Sequence, residues 1–156
     1  MKIATHNVEF LFEEGIHLHS GKQWEYSKEF VEERISHFSK LFTEINADIL
    51  LLQEVASASV IERIIAQTGI DYSYFFANPD QNGVGNAVLY KQKDAICESI
   101  PAMTSLPVFI EGDTDVIGPR IWSRRDFVHM EMVWNGKKLH VVGVHIKANF
   151  LMPEKD

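Results

Sequence analysis

"ADILLLQEV", residues Ala47 to Val55, is the stretch whose reading decides the fold. Five of the six residues before Gln53 are apolar, the pattern of a strand covered on both faces. The run ends abruptly in Gln53 and Glu54, with apolar Val55 straight after. A carboxylate at the C-terminal tip of such a strand is either a loop acid or a ligand at the rim of the sheet, where α/β sheets place their sites.

Upstream, Val31, Ile35, Phe38, Phe42 and Ile45 recur at helical spacing over residues 28–45, with Glu32, Glu33, Arg34 and Lys40 on the other side. This stripe predicts a helix that covers a sheet, stopped by Asn46. Residues 2–8 predict a first strand that ends near Asn7, and residues 13–24 a polar loop carrying His17 and His19. Downstream, a helix is expected from Ser59 to Thr68, closed by Gly69. Strands follow at Tyr72–Ala77 and Val84–Lys91, joined by the turn cluster NPDQNG. A further strand is expected over Ala95–Ala102 and a long loop over residues 103–120. The sequence shows no repeat or linker, so residues 1–156 form a single domain of mixed α/β class.

Two apolar-rich runs flank "WNGK", and Asn135–Gly136 is the strongest short-range signal for a two-residue hairpin. The turn fixes the register: Trp134 faces Lys137, Met132 faces Leu139, Met130 faces Val141 and Val128 faces Gly143. Continued outward, Asp126 faces His145 and Arg124 faces Lys147. Because side chains alternate, all these pairs share one face. That face is apolar near the turn and polar at its far end, which is either a solvated strand end or part of a site.

Composition narrows the field. Acidic residues outnumber basic ones 22 to 15, a net charge of −7, whereas nonspecific duplex binders carry a basic balance. An acidic balance still suits a phosphate-processing enzyme whose carboxylates hold a divalent cation. Cys97 is the sole cysteine, which excludes an internal disulfide and suits a reducing compartment. The sequence "MKIATHNVEFLF" lacks the apolar core of a signal peptide, and no apolar run is long enough to span a bilayer. The expected location is cytoplasmic. Weaker motifs have ordinary explanations: His17-x-His19 is a pair of loop histidines, Gly83-x-Gly85 lacks the lysine and helix of a phosphate loop, and Cys97 is a buried thiol. Tyr72, Tyr74, Phe75 and Phe76 are core aromatics.

Four blocks, "IATHNVEFLF", "NADILLLQEV", "GVGNAVLY" and "SRRDF…GKKLHVVGVHIKAN", together resemble the endonuclease/exonuclease/phosphatase superfamily, in its order and spacing. The resemblance covers nearly the whole chain, and its most specific element is the Q-E motif. It implies a DNase I-like four-layer α/β sandwich, of which this sequence resembles the N-terminal half: a mixed, mainly antiparallel sheet with helices on its outer face. It implies a metal-dependent phosphoesterase, nuclease-like, with sphingomyelin or inositol phosphates as alternative substrates. Glu54 matches the family's metal-ligand glutamate, and Asn7 its first-strand asparagine, which helps place metal or phosphate. Arg124 matches the phosphate-reaching arginine, with Arg125 in its place if the alignment shifts by one, and His145 matches the first catalytic histidine. The implied cofactor is Mg2+ or Mn2+, and the implied partner a phosphoester, nucleic acid included. The family's later G-D-x-N and S-D-H segments are absent from these residues, so the chain is expected to be catalytically incomplete. The alternative is a non-catalytic interaction module. Half a sandwich also implies an apolar sheet face left bare, and self-association through it.

Overall fold

The computed structural model describes residues 1–19, 22–101 and 125–145, apart from the side chain of His19. The strands are β1 (Ile3–Leu11), β2 (Gly15–His19), β3 (Lys22–Tyr26), β4 (Ile49–Val55), β5 (Ser73–Phe76), β6 (Gly85–Tyr90), β7 (Ile96–Ile100), β8 (Phe127–Trp134) and β9 (Lys137–Gly143). The helices are α1 (Lys28–Ile45) and α2 (Ala58–Thr68). Sheet one has the order β1-β4-β6-β5, parallel between β1 and β4 and antiparallel elsewhere. Sheet two is the antiparallel trio β7-β8-β9.

Local signals set the helix limits. Ser27 Oγ accepts from the Phe30 amide at 3.2 Å to cap α1, and Asn46 ends it in the left-handed region, its amide bonded to the Phe42 carbonyl at 2.8 Å. Ser57 caps α2, and Gly69 closes it with φ +67°. The buried stripe of α1, with Val60, Ile61 and Ile64 of α2, packs on Leu50 and Leu52 of β4 and Ala87 and Leu89 of β6. The opposite face of sheet one offers Ile49 and Val88 to Val128, Met130, Met132 and Val141 of sheet two. Among the described residues the layers therefore run helices, sheet one, sheet two.

The strand containing Leu50 lies between two neighbours and is covered above and below, as its uninterrupted apolar run requires. The β8–β9 hairpin keeps the expected register from Trp134–Lys137 to Val128–Gly143. The ladder stops there, so Asp126 and His145 are not ladder partners. Two expectations change. Gly15–His19 and Lys22–Tyr26, expected to lie largely in a loop, pair as antiparallel strands β2 and β3, with Ile16 and Leu18 alternating with His17 and His19 along the sequence. The apolar face of β8 and β9 is covered by sheet one, and the exposed apolar side chains Ile96, Val133 and Val142 stand on the outer side of sheet two. The loop expected over residues 103–120 lies outside the described residues. No helix among the described residues is long and apolar enough to cross a membrane.

Gly143 marks the close approach of the sheets: a Cβ there would come 2.9 Å from Leu51 Cδ2 and 3.7 Å from Val128 Cβ. Overpacking this contact in Gly143→Ala is expected to lower unfolding stability by about 1–3 kcal/mol. Leu51→Ala costs stability itself but relieves the clash, so the double mutant should lose less than the two single losses added, and a urea-denaturation double-mutant cycle checks the coupling.

Candidate active site

Strict alternation along β4 would place Val55 with Ile49 and Leu51, facing sheet two. Val55 instead lies in the helix-side core with Leu50 and Leu52. The switch occurs at Glu54, whose φ is +63°, where the β4–β6 register slips between Gln53–Asn86 and Val55–Gly85. Glu54 is the extra residue of a β-bulge, and bulges re-aim side chains. Without it, the carboxylate would enter the helix-side core. With it, Glu54 Oε1 stands 3.5 Å from Arg125 Nη1 and 3.7 Å from His145 Nε2.

Arg125 precedes β8 by two residues, and His145 follows β9 by two residues. The Val128–Gly143 pairing therefore delivers both to the same end of sheet two, facing the tip of β4. Arg125 Nη1 donates to His145 Nδ1 at 2.7 Å, and its Nε faces Asp80 Oδ2 at 3.3 Å. Since a guanidinium only donates, His145 Nδ1 carries the lone pair and Nε2 the proton in the neutral ring. Burial, and then the charge of Arg125, push the His145 pKa below its ordinary value, while Glu54 pulls it upward. The ring is neutral at pH 7.

Asp80 holds the β5–β6 turn with its other oxygen, Oδ1, which accepts from the amides of Asn82 at 2.8 Å and Val84 at 3.1 Å. One carboxylate thus shapes the turn and orients Arg125. The peptide after Arg125 is fixed as well. Asn86 Nδ2 donates to the Asp126 carbonyl at 2.7 Å, and Asn78 Nδ2 to Asp126 Oδ2 at 3.1 Å. Asn86 Oδ1 is buried without a hydrogen-bond partner among the described residues.

β1 carries a second irregularity. Between the Asn7–Gln53 and Leu11–Val55 pairs it loops out two more residues than β4, and Glu9 and Phe10 take left-handed φ values of +46° and +55°. Three contacts hold this excursion: Asn7 Oδ1 accepts from the Glu9 amide at 2.9 Å, Arg34 Nη2 donates to the Val8 carbonyl, and the Phe12 amide bonds the Phe10 carbonyl. Phe10 then lies under Arg125, 6.0 Å from ring centroid to Cζ.

Of the residues expected in the site, Glu54 and His145 come together. Asn7 sits at the matching end of β1, on the sheet-two side with Gln53, and its side-chain oxygen closes the β1 turn. Arg124 lies outside the described residues, and the arginine that the structure places beside Glu54 is Arg125. Asp80, Asn86 and Phe10 were not foreseen. Asp80 looked like an ordinary turn residue in NPDQNG, and half of its role is just that. His17, from the histidine pair, stacks on Phe12 with ring centroids 4.3 Å apart.

Two solved structures share this arrangement of elements. An endonuclease/exonuclease/phosphatase family protein from Leptotrichia buccalis C-1013-b aligns with a TM-score of 0.56 and 18% identity, covering 93% of this chain and 54% of its own. A humanized D. rerio TDP2 aligns with a TM-score of 0.51 and 13% identity, covering 91% of this chain and 45% of its own. The fold is DNase I-like. The chain spans about half the length of these structures. No protein-family model and no curated protein matches the sequence.

The geometry predicts how His145 titrates. Its midpoint should fall below 6.5, its ordinary value, in an NMR titration. Arg125→Gln should raise it and Glu54→Gln lower it further. An unfolded chain takes up that proton first, so stability should decline as pH falls from 6.5 toward the folded midpoint and stay level above it. His145→Gln should remove this component of the pH dependence of urea unfolding.

Proposed function

We propose that this chain is part of a divalent-metal-dependent phosphoesterase of nuclease-like type, and that these 156 residues alone are catalytically incomplete. The observation that supports the reading most is the gathering of Glu54, Arg125, His145 and Asp80 between the tips of two sheets in a DNase I-like fold.

The donor set fits a hard cation. Glu54 meets Arg125 and His145 only at 3.5 and 3.7 Å, longer than hydrogen bonds, so its oxygens keep lone pairs to give. Beside the bulge, the buried Asn86 Oδ1 is an acceptor short of a donor, a shortage that a hydrated ion corrects. Among the described residues no three His, Cys, Asp or Glu side chains close around one point. Glu54 would therefore hold Mg2+ or Mn2+ with Asn7 alongside and water in other positions, the usual habit of Mg2+. Once bound, the ion supplies Lewis-acid polarisation of a phosphoryl oxygen.

The chain's own groups do the rest. Arg125, anchored by Asp80 through Nε, presents fixed positive charge to phosphoryl oxygens. His145 holds its proton at Nε2 and offers it as a hydrogen bond to developing negative charge. Asn86 and Asn78, by fixing Asp126, keep Arg125 in register. The net charge of −7 favours a small or lipid phosphoester over nonspecific duplex binding. The partners proposed are a phosphoester substrate and, through exposed Ile96, Val133 and Val142, a second copy of the chain.

Manganese titration tests the reading. The 156-residue chain should bind Mn2+, Glu54→Gln should weaken that affinity by about tenfold or more as a charged oxygen ligand is lost, and bis-p-nitrophenyl phosphate should not turn over. Equal Mn2+ affinity in both proteins would overturn the metal assignment, and turnover by the pure chain would overturn its incompleteness. Assays of a longer chain against DNA, RNA, sphingomyelin and inositol phosphates would then choose the substrate.

A further inference from the structure

Alternation along β8 turns Val128, Met130 and Met132 toward sheet one and therefore turns His129 and Glu131 outward. Glu98 of β7 pairs directly with His129, and His140 of β9 pairs directly with Glu131. Three strands thus bring two histidines and two carboxylates together on the outer side of sheet two, away from Glu54. The proposed phosphoesterase chemistry makes no use of them.

The contacts are specific. His129 Nδ1 stands 2.7 Å from Glu98 Oε1, and a carboxylate only accepts, so this nitrogen carries the proton. In the neutral ring, Nε2 then bears the lone pair. That nitrogen lies 3.0 Å from His140 Nδ1, with the ring planes 4° apart and the centroids 5.2 Å apart. Glu131 Oε2 is 3.8 Å from the same His140 nitrogen, and Glu131 Oε1 is held by Lys138 Nζ at 2.7 Å. A carboxylate on the far nitrogen of a histidine is the arrangement that fixes a metal-binding tautomer and raises ligand basicity.

We propose that His129 Nε2 and His140 Nδ1 form a two-histidine site for a borderline transition-metal ion of the zinc class. Nitrogens bound to one such ion at about 2.0–2.1 Å stand roughly 3 to 3.4 Å apart, close to the present 3.0 Å, but the rings now meet nitrogen to nitrogen and must both turn to aim their lone pairs at one ion beside the line that joins them. The ion displaces the proton from between the rings, and His140, half-exposed, carries its proton on Nε2 instead. Glu98 remains the outer partner of His129. Glu131 is near enough to join on leaving Lys138, and water completes the shell. No three donors among the described residues surround one point here, so the two nitrogens rely on Glu131 and water for the remaining positions. Imidazole nitrogens select zinc, nickel or copper over magnesium, so the site is chemically distinct from the oxygen-rich cleft at Glu54. Its occupant would tie β8 to β9 and, through Glu98, to β7.

Calorimetric titration of the 156-residue chain with Zn2+ alone tests this, using variants at positions outside the two apolar core clusters. One zinc equivalent should persist in Glu54→Gln and disappear in both His140→Gln and His129→Gln. Glu98→Gln should keep the stoichiometry and weaken affinity about 10–100-fold, the usual effect of removing an outer-shell partner. Bound zinc should shift the His129 and His140 ring resonances and raise the unfolding temperature of the wild type only. Equal zinc stoichiometry and affinity in wild type and His140→Gln, or no zinc bound by the wild type, would overturn the proposal. Loss of manganese binding at Glu54 would leave it standing.

Discussion

One extra residue in β4 determines where the carboxylate of this fold can go. Glu54 occupies a left-handed conformation, with φ +63°, that costs a non-glycine residue about 1–2 kcal/mol. The bulge returns Val55 to the helix-side core, so the layer of Leu50, Leu52 and Val55 stays intact while a charged group turns out between the sheets. Glycine would satisfy the backbone with less strain. A carboxylate occupies the position all the same. The neighbouring β1 makes a parallel departure, with Glu9 and Phe10 both left-handed, and there Arg34, Asn7 and Phe12 hold the irregular backbone. Strain is thus concentrated at the strand tips that frame Arg125.

Charge arithmetic explains why these groups tolerate one another. Arg125 is about nine-tenths buried, and a buried guanidinium must be paired. It has Glu54 on one side, Asp80 on another and the lone pair of His145 on a third. The same crowding keeps His145 neutral, because a proton on Nδ1 would point at the guanidinium. Among the described residues, the carboxylates of Glu54 and Asp80 outnumber the one guanidinium between them. That excess, with the orphan oxygen of Asn86, is what makes a hard cation compatible with a site that already contains an arginine.

The sequence made the apolar framework legible because burial repeats with the period of each element. The stripe from Val31 to Ile45, the run before Gln53 and the Asn135–Gly136 turn each predict their element and, for the hairpin, its register. Glu54 and His145, expected in the site from the blocks that contain them, lie 3.7 Å apart. The means of their meeting could not be read from the sequence, because a bulge leaves no periodic trace. Extending the ladder outward put Asp126 opposite His145, whereas the actual tethers of Asp126 come from Asn78 and Asn86, on other strands and loops. Asp80 was hidden for a related reason: a turn aspartate and an arginine anchor have the same local sequence. The β2–β3 hairpin escaped notice because its alternation runs through histidines and exposed Ile16 and Leu18, which mimic loop composition.

Sheet two turns two different sets of side chains to its two sides. Inward-facing Val128, Met130 and Val141 seat it on sheet one, and that seating carries Arg125 and His145 to Glu54. The alternate residues, His129, Glu131 and His140, are excluded from the core by the same pleat, so their identities are free of packing demands. The cleft holds the carboxylates of Glu54 and Asp80 with one imidazole, that of His145, and the outer face holds the imidazoles of His129 and His140 with the carboxylates of Glu98 and Glu131. The sheet can therefore change its outer constellation without moving the inner one, provided that the contact of Gly143 with Leu51 continues to set the spacing between the layers.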